Sequence, residues 1–500
     1  MERKKAADKA AKGKIKRAAK ILFIGATLAF CLVGCTEKKV LDAKNPTVIS
    51  LWHYQDGSSK AQLDAQIKLF NETVGKEQGI VVEAQSRGNS MQLAEVVFDA
   101  ANKTIGSDPM PDIFTAYPDN AYRIDKVAEL VDLEQYFTKE ELAQYYPAFL
   151  DNDRIGADKK LKLLPISKST EGIFLNQTDW DKFSLETGAQ LSQLTSWEGM
   201  ARTAQQYYRW TDEKTTENND GKAFWGIDSM YHFMLMASRQ TGQEMYKEEA
   251  DGTVSFQYSK ELAKRVWDIY YEGYLRGWYK KENTYTSADV AAGSIIASVM
   301  STAGGNYFPT KMTVDKSESY SVDCGVLPYP VMENGKPYAP IRGMDMCITK
   351  SDAAHEYASA VFLKWFTAPQ QNSAFTAGVG FLPVQNSALT PQAIEKAREQ
   401  VLEKAPNPAI TTALRTAQNM LSTYTLYNSK PFSGDYEIKQ LLENSLPDFA
   451  KQDLQQLDKR VTAGENREKL IAQYISQDNF EQWYAQFTQA AAAILIEKRV

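Results

Sequence analysis

The chain of 500 residues has few of the side chains that most often carry chemistry, with three histidines and four cysteines. It contains no G-x-S-x-G nucleophile elbow, no H-E-x-x-H metal motif, no Walker loop and no C-x-x-C pair. The segment from Asp151 to Gly156 has the acidic spacing of a calcium loop, but Ile155 occupies a ligand position and Lys162 stands where a Glu is needed. We interpret it as a turn and expect no metal and no cofactor. A carboxylate-pair glycan hydrolase stays an alternative, because the 63 acidic residues make such pairs common.

The chain also lacks an apolar run long enough for a permanent membrane span. Its longest candidate, Ile21 to Val33, would form a helix of roughly 20 Å, against a hydrocarbon core of roughly 30 Å. Nine Lys or Arg residues precede it within the first 20 positions, which is typical of a secretory signal. We therefore predict a signal peptide over residues 1–34 and an extracytoplasmic mature protein.

Acidic residues outnumber basic residues clearly once the signal is removed. Residues 1–34 hold nine Lys or Arg and two acids, so the formal charge changes from −6 for the whole chain to −13 for the remainder. A surface of this sign repels phosphate backbones, which excludes a nucleic-acid partner. We expect a monomer.

Two cysteines, Cys324 and Cys347, remain beyond the first 35 residues. Turn signals at Asn334-Gly335 and Lys336-Pro337 lie between them, so two returning strands would bring them together. An exported protein permits a disulfide there, and two buried free thiols are the alternative.

The order of predicted elements indicates an α/β fold. Thr47 to Tyr54 is a buried strand, Ala61 to Val74 an amphipathic helix, and Ile80 to Val82 begins the next strand. A helix near Met91 to Ile105 and a strand at Asp112 to Ala116 repeat the rhythm. Alternation of strand and helix predicts mostly parallel sheets flanked by helices.

Short motifs in this order resemble those of family 1 extracellular solute-binding proteins of ABC importers, the maltose-binding-protein-like group. The chain residues that carry the resemblance, from residue 46 to about 390, are Leu51-Trp52-His53-Tyr54, Leu69-Phe70-Asn71-Glu72, Gly79-Ile80-Val81-Val82, Met110-Pro111-Asp112-Ile113-Phe114, Leu164-Pro165-Ile166, Phe174-Leu175-Asn176, Thr195-Ser196-Trp197-Glu198, Leu327-Pro328-Tyr329-Pro330 and Gly380-Phe381-Leu382-Pro383-Val384. Leu32-Val33-Gly34-Cys35 is similar to the lipobox of bacterial lipoproteins, in which the cysteine is lipidated.

The resemblance implies a two-lobed periplasmic-binding-protein-like fold of type II, with a hinge between the lobes. It implies a lipidated tether at 35–45, a first lobe of 46–166 plus 325–382, and a second lobe of 167–324 plus 383–500. It also implies a non-enzymatic protein, anchored to the cell membrane through Cys35, that captures a mono- or oligosaccharide between its lobes and delivers it to the transmembrane subunits of an ABC permease.

Ligands of open α/β sheets sit beyond the carboxyl ends of strands. Carried over by position, the resemblance implies a cleft lined by residues that follow the strands and by the first crossing between lobes. These are His53, Tyr54, Gln55, Arg87, Tyr117, Asp119, Ser169, Thr170, Glu171, Trp225, Thr302, Gly304, Arg342 and Asp345.

One alternative ligand class follows from the stretch Ser167 to Thr170, which resembles the serine-rich segment of relatives that take phosphorylated glycerol. A glycerol phosphate or phosphodiester would require Arg87, Lys168 and Arg342 to converge, because phosphate is recognised by several cations together.

Overall fold

The computed structural model describes residues 41–249, 253–313, 319–401 and 407–498. The predicted signal peptide, Cys35 and most of the predicted tether lie outside these residues. The strands, in chain order, are β1 (Thr47–His53), β2 (Ile80–Ser86), β3 (Ile113–Ala116), β4 (Arg154–Ile155), β5 (Lys160–Leu161), β6 (Leu163–Ser169), β7 (Glu171–Asn176), β8 (Trp225–Ile227), β9 (Tyr246–Glu248), β10 (Val254–Phe256), β11 (Ala297–Ser301), β12 (Lys311–Thr313), β13 (Ser319–Ser321), β14 (Cys324–Pro328), β15 (Tyr338–Pro340), β16 (Arg342–Ile348) and β17 (Thr425–Tyr427).

Helices connect and cover these strands. They are α1 (Gly57–Glu72), α2 (Val74–Gln78), α3 (Ser90–Ala101), α4 (Pro118–Asp125), α5 (Lys139–Leu142), α6 (Pro147–Asn152), α7 (Gln177–Thr187), α8 (Trp197–Asp212), α9 (Met230–Gln240), α10 (Lys260–Arg276), α11 (Thr286–Ala291), α12 (Ala353–Phe366), α13 (Pro369–Val379), α14 (Pro391–Val401), α15 (Pro408–Thr423), α16 (Asp435–Thr462), α17 (Arg467–Tyr474) and α18 (Gln477–Glu497). Short 3₁₀ helices lie at Leu133–Gln135, Leu191–Thr195, Thr302–Tyr307 and Asn386–Ala388.

The first lobe is built on a five-stranded sheet of order β2-β1-β3-β16-β6. β1 is parallel to β2 and β3, whereas β16 is antiparallel to both of its neighbours. Leu63, Ile67 and Phe70 of α1 are buried against one face of this sheet, as their spacing predicts, and Leu93 and Val97 of α3 are buried against the other.

The second lobe is built on a four-stranded sheet of order β14-β7-β11-β8. Here β7 is antiparallel to β14 and to β11, and β8 is parallel to β11. The antiparallel strand of each sheet, β16 or β7, is the one that enters from the other lobe. Such a strand starts at the sheet edge where the lobes meet and runs away from it. The neighbouring strands end at that edge, so they are antiparallel to β16 in the first sheet and to β7 in the second.

The α/β class and the two-lobed fold are confirmed, but the strand pairing differs from the predicted lobe boundaries. β6 stays in the first sheet up to Ser169, and Thr170 alone separates it from β7. β14, which the prediction gave mostly to the first lobe, pairs with β7 in the second sheet. Helix α14 packs on α13 of the first lobe, although it lies beyond the predicted boundary at residue 383.

The apolar pattern from Lys139 to Phe149 is divided between two helices, α5 and α6. Pro147 lacks an amide hydrogen, and it starts the second helix at its first position. Among the described residues, none of the helices is both long and apolar enough to cross a membrane.

Cys324 and Cys347 are free thiols, so of the two alternatives left open by the sequence the structure has the unpaired one. Cys324 pairs with Asn176 in the second sheet, whereas Cys347 lies between Phe114 and Leu163 in the first sheet. The turns between the two cysteines lead the chain from the second lobe into the first, so the two thiols lie in different sheets. Burial raises the pKa of both thiols, to about 12 for Cys324.

Candidate functional site

The two central sheets face each other at the edges where the chain crosses between lobes. On the first sheet, β1, β3 and β6 end at this edge and β16 begins there. On the second sheet, β8, β11 and β14 end at the facing edge and β7 begins there. The register places Arg342 beside Ser169 and Glu171 beside Ser301, so residues of both edges are neighbours. This is the cleft in which an α/β sheet binds ligand.

The first crossing is held by hydroxyl and backbone hydrogen bonds. The Thr302 amide donates to the Thr170 carbonyl over 2.8 Å, and the Thr170 amide is 3.2 Å from the Thr302 hydroxyl. The Ser169 and Ser301 hydroxyls are 3.2 Å apart. The structure therefore brings Ser169, Thr170 and Thr302 together.

Glu171 lies at the centre of the cleft and is fully buried. Its Oε1 accepts hydrogen bonds from Arg342 Nη1 and His232 Nδ1, each at 2.7 Å. Burial raises the pKa of this carboxyl, but His232 and Arg342 outweigh burial and leave the pKa below its usual value. Glu171 is therefore an anion whose other oxygen, Oε2, has no hydrogen-bond partner within the described ranges.

Two tyrosines line the first-lobe side of the cleft. The rings of Tyr54 and Tyr117 are stacked with centroids 6.2 Å apart at 22°, and their hydroxyls are 3.5 Å apart. Burial, reinforced by Tyr117, raises the pKa of Tyr54 well above its usual value, so its hydroxyl keeps its proton. Tyr117 is 36% exposed and offers a ring face and a hydroxyl to a ligand.

His53 and Gln55 are buried at the end of β1. The Gln55 amide donates to His53 Nδ1 over 3.2 Å, so the neutral ring carries its hydrogen on Nε2. Burial and the charge of Lys60 lower the pKa of His53 to about 4. His53 Nε2 and Gln55 Oε1 have no partner in the described part of the chain, which makes them a free donor and a free acceptor.

Lys168 and Asp345 belong to a buried charge cluster beneath the crossing. Lys168 Nζ lies 3.0 Å from Asp153 Oδ1 and also contacts Asp345. Burial raises the pKa of Asp345 strongly, and the nearby Asp153 raises it further. The Lys168 backbone pairs with Leu382 through two hydrogen bonds of 3.0 and 2.7 Å. This cluster joins two crossing segments, so its lysine is committed to the fold.

Besides Asp345, four predicted site residues have other roles in the structure. Trp225 is 1% exposed and packs against Trp197 and Tyr279, in the core of the second lobe. A Cβ added at Gly304 would meet the Met300 side chain at an ordinary contact distance, whereas a Cβ at Gly305 would crowd the backbone of α15. Gly305 therefore permits close packing of this helix. Arg87 and Asp119 are held by ion pairs described below.

The chain matches the family model described as bacterial extracellular solute-binding protein over residues 65–401. This match covers more than half of the sequence. The chain belongs to the bacterial extracellular solute-binding proteins. The family is not one of enzymes, which confirms the prediction made from the missing catalytic motifs, and its description implies an extracytoplasmic location.

Solved structures of similar fold cover most of this solute-binding protein. The cyclic α-maltosyl-1,6-maltose binding protein of Arthrobacter globiformis is 18% identical with a TM-score of 0.62, covering 90% of this chain and 99% of its own. UgpB of Mycobacterium tuberculosis, in complex with glycerophosphocholine, is 16% identical with a TM-score of 0.61, covering 88% and 99%. An ABC substrate-binding protein of Listeria monocytogenes, in complex with cycloalternan, is 14% identical with a TM-score of 0.58, covering 88% and 100%. No curated protein sequence matches significantly.

Three further residues of this solute-binding protein reach the cleft but were not predicted from the sequence. His232 contacts Glu171. Because the chain has three histidines, each of them could have been considered a candidate site residue from the sequence. Asp228 directly follows β8, and its Oδ1 accepts hydrogen bonds from the Thr286 amide and hydroxyl, each at 2.8 Å. Lys439 arrives from α16, in a region where the sequence offers only generic helical patterns.

The three cations that were expected to converge on a phosphate each contact carboxylates instead. Arg87 Nη2 lies 2.8 Å from Asp108, with its guanidinium 4.1 Å above the Trp52 ring. Arg342 contacts Glu171, and Lys168 contacts Asp153 and Asp345. Within the described ranges, no group of three His, Cys, Asp or Glu side chains is placed to hold a metal ion.

Proposed function

We propose that this solute-binding protein captures a neutral carbohydrate, a mono- or oligosaccharide, between its lobes and delivers it to an ABC permease. The observation that carries the proposal is the Glu171 carboxylate. Its Oε1 accepts hydrogen bonds from Arg342 and His232, and its Oε2 has no hydrogen-bond partner among the described residues. A carboxylate oxygen accepts strong hydrogen bonds from sugar hydroxyls.

The surroundings of Glu171 suit the rest of a sugar ring. The Tyr117 ring offers an apolar face for the C–H side of a pyranose, worth about 0.5–1.5 kcal/mol for an aromatic contact. The unpartnered His53 Nε2 and Gln55 Oε1 add a donor and an acceptor on the first-lobe side. The sugar ligands of the Arthrobacter and Listeria proteins support the same class.

A phosphodiester of glycerol is the second candidate, because UgpB of similar fold was solved with glycerophosphocholine. The charges of the cleft favour the sugar. Arg87, Lys168 and Arg342 each face their own carboxylate, so an incoming phosphate would have to displace an ion pair instead of meeting free cations.

The location of the protein is proposed from the sequence. We infer that the Cys35 thiol carries a lipid, that residues 35–45 form a tether, and that the anchored protein acts as a monomer beside its permease. Stable anchoring of a peripheral protein needs two acyl chains or an equivalent, which a diacylated cysteine provides.

A binding screen tests the proposal. The protein is titrated calorimetrically with maltotriose, mannotriose, cycloalternan and glycerophosphocholine, and its melting is recorded with each. A ligand present at 100 times its dissociation constant stabilises the folded state by about 2.7 kcal/mol. We expect at least one saccharide to bind and glycerophosphocholine to be silent. Binding of the phosphodiester alone would reverse the choice between the two classes.

A further inference from the structure

The N-terminal part of α16 reaches across the cleft and contacts the first lobe. Lys439 Nζ lies 3.1 Å from Asp119 Oδ2, in the first turn of α4 directly after β3. The two residues are 320 positions apart in the sequence. The contact therefore joins a C-terminal helix to the edge of the first sheet where ligand is expected.

On its own side of the cleft Lys439 is firmly held. Its ammonium is 3.0 Å from Asp435, one turn earlier in α16, and 5.5 Å from the centre of the Tyr231 ring. The helix itself is fastened to α9, because Glu443 Oε2 accepts hydrogen bonds of 3.0 Å from the Tyr231 amide and from the Ser229 hydroxyl. Lys439 thus moves with the second lobe.

Burial makes this ion pair stronger than an ordinary surface pair. The side chains of Lys439 and Asp119 are 16% and 15% exposed, and that of Asp435 is 2% exposed. Exposed pairs contribute little to stability, whereas breaking a buried one leaves a charge without compensation. Burial alone would lower the pKa of Lys439, but the two carboxylates raise it, so the bridging group is a cation.

We propose that Lys439 is a positioning residue that holds the two lobes closed over the cleft by bridging Asp119 and Asp435. Hinge opening carries α4 away from α16 and breaks the contact with Asp119. It leaves the contact with Asp435 intact, because both residues belong to one helix. The interaction with Asp119 is therefore made only in the closed form, and it shifts the population toward that form.

Two contacts made by the residues just before α16, Lys430 and Ser433, also join the lobes, but they are weaker. Lys126 Nζ is 3.4 Å from the Ser433 hydroxyl, and Lys430 Nζ is 3.2 Å from Asp151 Oδ2. The second pair is largely exposed, on Lys430 as well as on Asp151. Screening by solvent keeps such pairs weak, which leaves the Lys439 bridge as the main charged contact of this segment.

The test measures lobe separation directly in dialysed full-length protein, with no solute added. Ketone-bearing unnatural residues at the exposed positions of Lys68 in α1 and Leu185 in α7 carry spin labels, so that native thiols are not labelled. Pulsed electron–electron resonance then gives the ratio of the closed to the open form. We expect Asp119→Asn and Lys439→Met to lower this ratio about tenfold, and Lys439→Arg to retain it.

A matched control separates bridging from general damage to the helix. Lys498 pairs with Glu437 of α16 at 2.8 Å, within the second lobe, so Lys498→Met removes a lysine ion pair without touching the cleft. It should leave the distance distribution unchanged. Asp119→Asn removes only the contact between the lobes and keeps the ion pair of Lys439 and Asp435. It therefore tests the bridge even if Lys439→Met does not fold. The proposal is overturned if Asp119→Asn matches the wild type, or if Lys498→Met opens the lobes equally.

Discussion

The Arg342 guanidinium lies 2.7 Å from the Glu171 carboxylate, although Arg342 begins a strand of the first sheet and Glu171 begins a strand of the second. Each residue starts the one antiparallel strand of its sheet. Both strands enter directly from the other lobe, so their first residues must lie where the lobes meet. The topology itself therefore places an ion pair at the centre of the cleft.

Glu171→Gln should weaken solute binding by about 10- to 100-fold, because hydrogen bonds to charged groups contribute about 1.5–3 kcal/mol. The Gln keeps the shape but loses the charge that attracts sugar hydroxyls. Calorimetric titration with whichever saccharide binds in the screen gives the dissociation constant. The control is Glu186→Gln, which removes an exposed carboxylate paired with Lys214 in the second lobe and should leave affinity unchanged. Equal affinity of wild type and Glu171→Gln would remove Glu171 from the site.

The sequence was sufficient to predict the architecture and part of the cleft. β1 was predicted from its continuous run of apolar and aromatic residues, and the predicted bounds, Thr47 to Tyr54, lie within one residue of the observed ones. Glu171 was selected because it stands beside the first predicted crossing, whereas Arg342 was selected as a residue on the far side of the cleft. Their mutual contact could not be read from the sequence, since 171 positions separate them.

The errors in the predicted site have local physical causes. β8 has three residues, too short for a periodic pattern, so Trp225 was selected in place of Asp228, which follows the strand end. Asp119 was predicted to touch solute, but its partner Lys439 comes from a helix with no distinguishing motif. Pairing over such separations depends on tertiary packing, which local patterns do not record.

Tyr117→Ala should weaken saccharide binding by about 2- to 12-fold, the equivalent of an aromatic contact of about 0.5–1.5 kcal/mol. Tyr117→Phe keeps the ring and should lose less, so the comparison separates stacking from the hydroxyl. Tyr357 is an exposed tyrosine of α12, a helix that packs on α1 and β1, and Tyr357→Ala should have no effect on the dissociation constant. If Tyr117→Phe lost as much as Tyr117→Ala, the hydroxyl and not the ring face would be the binding group.

Acidification should destabilise the protein through His53. Its pKa is about 4 when folded and near 6.5 when unfolded, so the unfolded chain takes up the proton first as the pH falls. Stability is therefore lost progressively between about pH 6.5 and pH 4, by about 2–3 kcal/mol in total. His53→Gln has no such proton to bind and should lose less over this range.

Urea unfolding at pH 7, 5.5 and 4.5 measures the His53 effect as a difference between variant and wild type. Asp435 has the opposite sign, since burial raises its pKa to about 6, but it is present in both proteins and cancels. His355→Gln, at a partly exposed position near the start of α12, is the control and should follow the wild type. Parallel pH profiles of wild type and His53→Gln would contradict a neutral buried imidazole.

Cys35→Ala should release the protein from the membrane without changing its affinity for solute. The described part of the chain has no helix that could hold it in a bilayer, and the cleft is built from residues beyond Thr47. Fractionation of cells expressing each form measures release, and titration of the purified proteins measures affinity. Cys324→Ala, at a half-buried thiol in the second lobe, is the matched control and should stay membrane-bound. A fall in affinity in Cys35→Ala would mean that the N-terminal segment takes part in binding, so the division into tether and binding module would be wrong.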